Sequence, residues 1–266
     1  MIFTTFENSL RTLSFSCLFL TMLFYWIKAG FFQIKKTTKF EDIALLICNF
    51  VLISILLIRW IESNHFPLSN LYESLIFLSW SLLSFLLILQ IKTKELFIGT
   101  IITPIVLFIA TFATFSLPVE MQKASALVPA LQSNWLMMHV TIMMLSYAAL
   151  LFGSLFAITF LVIDATLGKI DIVEQSATTL ATQYENVNNQ NEIRDSSIPI
   201  STNSLNFVQQ PQISTMENSS FTTKIKLTTT LDNFSYRTIG VGFPLLTIGI
   251  LSGAVWANET WGSYWN

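Results

Sequence analysis

Charged side chains are what this 266-residue chain most lacks: Asp, Glu, Lys and Arg make up 11% of it, against roughly 25% in a soluble domain. A soluble globule of this length would need far more polar surface, so that class is excluded. Excess positive charge is missing too, since 14 basic residues stand against 16 acidic ones. A nucleic-acid partner held by bulk electrostatics is thereby excluded. Cysteine occurs twice, as Cys17 and Cys48, each inside an apolar run and without CxxC spacing. They read as small buried hydrophobes rather than a redox pair or metal site. Histidine also occurs twice, as His65 and His139, and no nucleotide-binding glycine loop, nucleophile or catalytic base stands out.

What the chain has instead is apolar mass: 53% hydrophobic residues, 23 phenylalanines and a mean hydropathy of +0.61. A helix needs about 20 mostly apolar residues to cross a bilayer. Six stretches qualify, at 12–32, 40–61, 71–91, 96–116, 135–163 and 238–257. The first has no signal-peptide cleavage pattern and reads as a retained span. The predicted fold class is an all-α polytopic membrane protein with about six transmembrane helices. Residues 1–163 carry spans one to five, and 238–266 carry span six with an aromatic tail. Between them, 164–237 is polar and poor in aromatics, and is expected to be disordered or weakly helical.

Basic residues set the orientation. The segments after spans one, three and five contain Lys28, Lys35, Lys36, Lys39, Lys92, Lys94, Lys169, Arg194, Lys224, Lys226 and Arg237. The opposite side has Arg11, Arg59 and Lys123. By the positive-inside rule the N-terminus, the 62–70 loop, the 117–134 loop and the C-terminal end face outward, and 164–237 faces inward.

Both histidines then fall on the outer side. His139 lies about one turn inside span five, in Trp135-Leu-Met-Met-His139, and at 100° per residue Trp135, His139, Met143 and Ser146 share a face. An ionisable side chain within a span is a functional-site candidate. A histidine hydrogen-bonded at the interface is the equal alternative. His65, in a short loop beside Pro67, reads as solvated. Glu73 follows Asn70 at helix-capping spacing and reads as part of a cap. The end of the chain, Gly253-Ala-Val-Trp-Ala-Asn-Glu-Thr-Trp-Gly-Ser-Tyr-Trp-Asn266, concentrates Trp256, Trp261, Tyr264 and Trp265 with Asn258, Glu259 and Gly262. Flat rings with a few polar groups suit a large planar apolar ligand. A porphyrin is one, and a histidine on the same side offers an axial bond to its iron.

That C-terminal stretch resembles the tryptophan-rich WWD signature of the CcsA family, the cytochrome c biogenesis proteins of plastids and many bacteria. Pro67-Leu-Ser-Asn-Leu-Tyr-Glu-Ser-Leu75 and Leu231-Asp-Asn-Phe-Ser-Tyr-Arg237 are similar to further landmarks of the family, in the expected order. The resemblance extends over nearly the whole chain and is nearest to plastid members. It implies a multi-pass protein of the thylakoid membrane, or of the cytoplasmic membrane in a bacterium. Such a protein acts at heme attachment with a CcsB (ResB-like) partner. Heme b would be bound transiently and presented on the lumenal side to the CxxCH thiols of apocytochromes c such as cytochrome f. The WWD segment would line the heme site through Trp256, Asn258, Glu259, Trp261, Gly262, Tyr264 and Trp265, with His139 as one axial ligand of the iron. On this reading the chain is a heme lyase (cytochrome c synthase) subunit rather than a stand-alone enzyme. The alternative is a heme exporter subunit, with attachment done by a partner. Family members continue past the signature through an aspartate and two further histidines, to about eight spans in all. The chain stops at Asn266, so it reads as truncated at the C-terminus or as a fragment.

Overall fold

The computed structural model describes the backbone of residues 2–31, 37–63, 65–122, 133–195 and 214–262, and side chains for 6–30, 37–63, 65–118, 120–122, 133–165 and 228–262. The described elements are helical: α1 (Ile2–Phe31), α2 (Lys39–Ser63), α3 (Leu71–Thr93), α4 (Leu96–Thr111), a π-helical turn (Phe112–Ser116), α5 (Val119–Gln122), α6 (Asn134–Asp195) and α7 (Ser214–Trp261). Six membrane-length apolar segments run through them, at Phe6–Gly30, Lys39–Ser63, Leu71–Thr93, Leu96–Ser116, Asn134–Ala165 and Thr228–Trp261. The protein is an all-α, multi-pass membrane protein. Near the start of α1, ahead of the predicted span, Glu7 and Arg11 are paired inside the protein rather than left facing lipid.

The chain divides into two compact units. The first comprises Met1–Leu155 and Ser235–Asn266, and the second Phe156–Phe234. In the second, Phe156 and Phe234 meet at 6.1 Å between ring centroids, and Leu231 is buried. The polar stretch expected to be disordered or weakly helical runs as helix as far as Asp195 and again from Ser214, and 196–213 lie outside the described residues. No proline interrupts 166–195, so nothing in that stretch breaks a helical backbone.

In the first unit, α1 to α4 pack as neighbours around Leu18, Tyr25, Leu45, Leu52, Ile76 and Leu86. Charged clusters close this body at its two ends, and both grow from helix starts. At α3, Asn70 accepts from the Glu73 backbone N–H at 2.9 Å, while the Glu73 carboxylate accepts from Ser69 N and Oγ at 2.8 and 2.7 Å. At α2, Glu41 accepts from the Thr38 backbone N–H at 2.7 Å, which is half of a capping box. Each capping acid then holds a base from another element: Arg59 bonds Glu73 at 2.9 Å, and Lys28 pairs with Glu41. Arg59 also bonds Glu7 of α1 at 2.8 Å and the main-chain carbonyl of Gln122 in α5. Arg11 bonds Glu7 at 2.6 Å and the Gln122 side chain at 2.8 Å. The two guanidiniums stack on the buried Tyr72 ring at 4.7 and 4.4 Å. At the opposite end, Tyr25 donates to Gln90 at 2.6 Å, Gln90 to Asp42 at 3.1 Å, and Lys94 pairs with Asp42 at 2.6 Å.

Backbone irregularity in α4 is also met by a neighbour. Pro104 has no N–H, which leaves the Thr100 carbonyl without its usual helical partner. The Trp26 indole N–H of α1 donates to that carbonyl at 3.3 Å. At the neighbouring position, Gly99 lies so close to the Tyr25 ring that an added Cβ would sit 2.2 Å from it.

Candidate functional site

The periodicity of α6 places Met143 and Ser146 with His139 on one side, and α7 packs against that side. His139 Nδ1 lies 2.6 Å from the carbonyl oxygen of Gly249, and Ser146 donates to the carbonyl of Gly242 at 2.9 Å. Between them the Met143 sulfur abuts Gly249, 2.6 Å from where a Cβ would stand. Further along, Ser235 of α7 donates to the carbonyl of Gly153 in α6 at 2.9 Å. Each of these bonds therefore ends on a glycine carbonyl. Glycine lets the two backbones approach closely and leaves its carbonyl open to a donor from the neighbouring helix. Among the described residues, no ion pair joins α6 to α7.

The histidine occupies a slot made by missing side chains. A Cβ on Gly253 would stand 2.6 Å from His139 Cε1 and 2.7 Å from Nδ1. Gly249 and Gly253 are one turn apart on α7, so one supplies the acceptor and the other the space. A carbonyl can only accept, so the proton must sit on Nδ1. Nε2 of the neutral imidazole then carries the lone pair. Half-buried His139 has no second protein partner for Nε2 among the described residues. This is the arrangement that metal-ligating histidines take: one nitrogen fixed by a carbonyl, the other available to a metal.

The same α7 face continues to Trp256, seven residues beyond Gly249. Trp256 is half-buried, and its ring meets Trp261 edge-on at 5.0 Å between centroids. Trp261 is 65% exposed at the end of α7, and Asn258 and Glu259 are exposed beside it. Gly262 ends the helix: its φ of 76° is the left-handed conformation glycine adopts most easily, and its N–H donates to the Asn258 carbonyl at 2.9 Å. Tyr264 and Trp265 lie outside the described residues. His65 is half-buried in the loop before α3, with Nδ1 3.2 Å from the Phe66 carbonyl. Glu73 is capping in character, and additionally anchors Arg59. Gly249 and Gly253 are the site residues that sequence reasoning passed over. Their spacing on an apolar helix was the available signal.

What this arrangement suits is an apolar, planar ligand carrying a metal that one imidazole can reach. The donor set fits heme: an imidazole held at Nδ1 by a carbonyl, and a pair of indoles on the same helix as its slot.

Comparison with known proteins identifies the family. The family model described as cytochrome C assembly protein matches residues 68–266. The chain is 48% identical over 267 residues to the cytochrome c biogenesis protein CcsA of Marchantia polymorpha, covering 100% of this chain and 80% of that protein. It is 47% identical over 261 residues to the protein of the same name from Pyropia yezoensis, covering 98% and 78%. To the one from Microcystis aeruginosa it is 45% identical over 261 residues, covering 98% and 79%.

Proposed function

The chain belongs to the cytochrome c assembly protein family and has a role in cytochrome c biogenesis; from that premise we propose that it acts at the heme-attachment step. Heme b is the substrate it holds and presents. When bound, heme supplies vinyl groups to which the two cysteine thiols of a CxxCH apocytochrome add. His139 would hold the heme iron through Nε2, while Gly249 fixes its other nitrogen and Gly253 leaves room for the ring. Trp256 and Trp261, with Tyr264 and Trp265, contribute the aromatic wall, and Asn258, Glu259 and Gly262 border it. The site faces the thylakoid lumen in a plastid, or the periplasm in a bacterium, with a ResB-like membrane protein and apocytochromes such as cytochrome f as partners.

The observation that carries this reading is the His139 to Gly249 bond, because it leaves a lone pair aimed away from its protein partner. Heme reconstitution of the purified protein tests it. The native protein is expected to give a Soret band whose position shifts in His139→Ala and returns on adding imidazole. Holocytochrome yield in cells should fall with His139→Ala at unchanged protein level. An unaltered spectrum and yield in His139→Ala would remove His139 from the site. Cysteine labelling from one membrane face tests the orientation. Residues 36 and 134 should label from opposite sides.

A further inference from the structure

The chain's two cysteines, 31 positions apart in sequence, meet where α1 packs on α2, with Cys17 Sγ 3.0 Å from Cys48 Sγ. Both are free thiols; Cys48 is 1% exposed and Cys17 is half-buried. Thr21, one turn after Cys17, donates its hydroxyl to the Cys17 carbonyl at 2.8 Å, and its oxygen lies 3.4 Å from Cys48 Sγ. With the Thr21 proton committed to the carbonyl, its oxygen faces the Cys48 S–H as an acceptor. The pair is deep. At a rise of 1.5 Å per residue, each cysteine stands roughly 13 Å or more from the nearer end of its membrane segment.

Geometry discriminates between the two chemistries open to paired thiols. Two thiolates on a tetrahedral zinc, with bonds of about 2.3 Å, would lie roughly 3.8 Å apart and need further ligands. Among the described residues no group of three His, Cys, Asp or Glu side chains is placed to hold a metal. A disulfide needs about 2.04 Å, which the pair reaches by closing about 1 Å. Its depth selects the oxidant. Glutathione disulfide and other charged oxidants do not enter hydrocarbon, whereas a quinone dissolves in it.

We propose that Cys17 and Cys48 are a redox-active dithiol that transfers two electrons to a lipid-soluble quinone. Both S–H bonds break and one S–S bond forms. The two protons and two electrons convert the quinone to its hydroquinone, one per disulfide. Cys17 is the more open sulfur and meets the quinone, and Cys48 behind it closes the bond. The site uses neither His139 nor any residue of α7, so it stands apart from the heme reading.

The test uses the full chain, reduced and placed in lipid nanodiscs with decylubiquinone. After denaturation, remaining thiols are counted with a maleimide mass tag, and hydroquinone is followed by absorbance. Two thiols should disappear per hydroquinone formed, and peptide mapping should recover a Cys17–Cys48 link. Cys17→Ser and Cys48→Ser should each lower hydroquinone formation about tenfold or more. Cys48→Ala provides the same test if serine disturbs the packing. Thiols that stay fully taggable with the quinone overturn the proposal. So does a link that forms with diamide but not with the quinone, because the pair would then be only a close packing contact.

Discussion

Where α1 to α4 meet, guanidinium, ammonium and carboxylate groups carry the bonds between helix ends; where α6 meets α7, two hydroxyls and one imidazole donate to glycine carbonyls. The first arrangement takes charges out of water and holds them through mutual pairing backed by capping bonds, so losing one partner strands another. The second rests on close backbone approach, and each bond can be lost separately at small cost. The difference also suits chemistry. A histidine among buried carboxylates would have both ring nitrogens drawn into pairing, whereas beside a single glycine carbonyl only Nδ1 is engaged.

The largest expected effect breaks the charged side. Arg59→Met leaves Glu7 and Glu73 buried without their shared partner and should cost about 3–5 kcal/mol. Thermal unfolding in detergent should show it, together with loss of the protein from membranes. A loss no greater than that of a single hydroxyl deletion would end the distinction between the two regions.

Glycine substitutions come next and separate stability from site chemistry. Gly99→Ala drives a methyl into the Tyr25 ring, and Gly253→Ala drives one into the His139 ring. Each should cost about 1–3 kcal/mol by overpacking. Only Gly253→Ala should also shift the Soret band of reconstituted protein, and equal spectra for the two variants would argue that the slot does not set the imidazole's position.

Smaller still is Ser146→Ala, which removes one bond to the Gly242 carbonyl and should cost about 0.6 kcal/mol. Unfolding midpoints compared with Ser146→Ala/Ser235→Ala should show near-additive losses; strong coupling would mean the two bonds act as one unit. At the bottom of the scale, Gly240→Ala meets nothing within 4 Å. It should be neutral, or stabilising by up to about 1 kcal/mol through helix propensity. A marked loss would reveal a close neighbour of α7 at that position.

The helices and the chemical candidates were legible in different degrees. Long apolar windows mark membrane helices because an unsatisfied backbone is intolerable in hydrocarbon, and the six predicted spans correspond to six observed segments. The face of His139 was legible because 100° per residue is a local property, and Met143 and Ser146 do meet α7 beside it. The polar partners at the start of α1 were not legible. Glu7 and Arg11 look like the edge of a span until Arg59 and Gln122, far along the chain, are seen to pair with them.

By itself, then, the sequence determined the membrane class, the number of spans, the family and the one span histidine worth attention. Those follow from composition, local period and motif order. Only tertiary structure decided what each polar group in the bilayer touches. Arg59 joins three other elements, Trp26 covers the carbonyl that Pro104 leaves open, and Cys17 meets Cys48 despite the absence of CxxC spacing. It also decided that His139 is fixed through Nδ1 on Gly249, in space left by Gly253. The physical reason is common to all of these. In a low-dielectric interior a polar side chain must find a partner, and helix packing, not chain order, determines which one lies within about 3 Å.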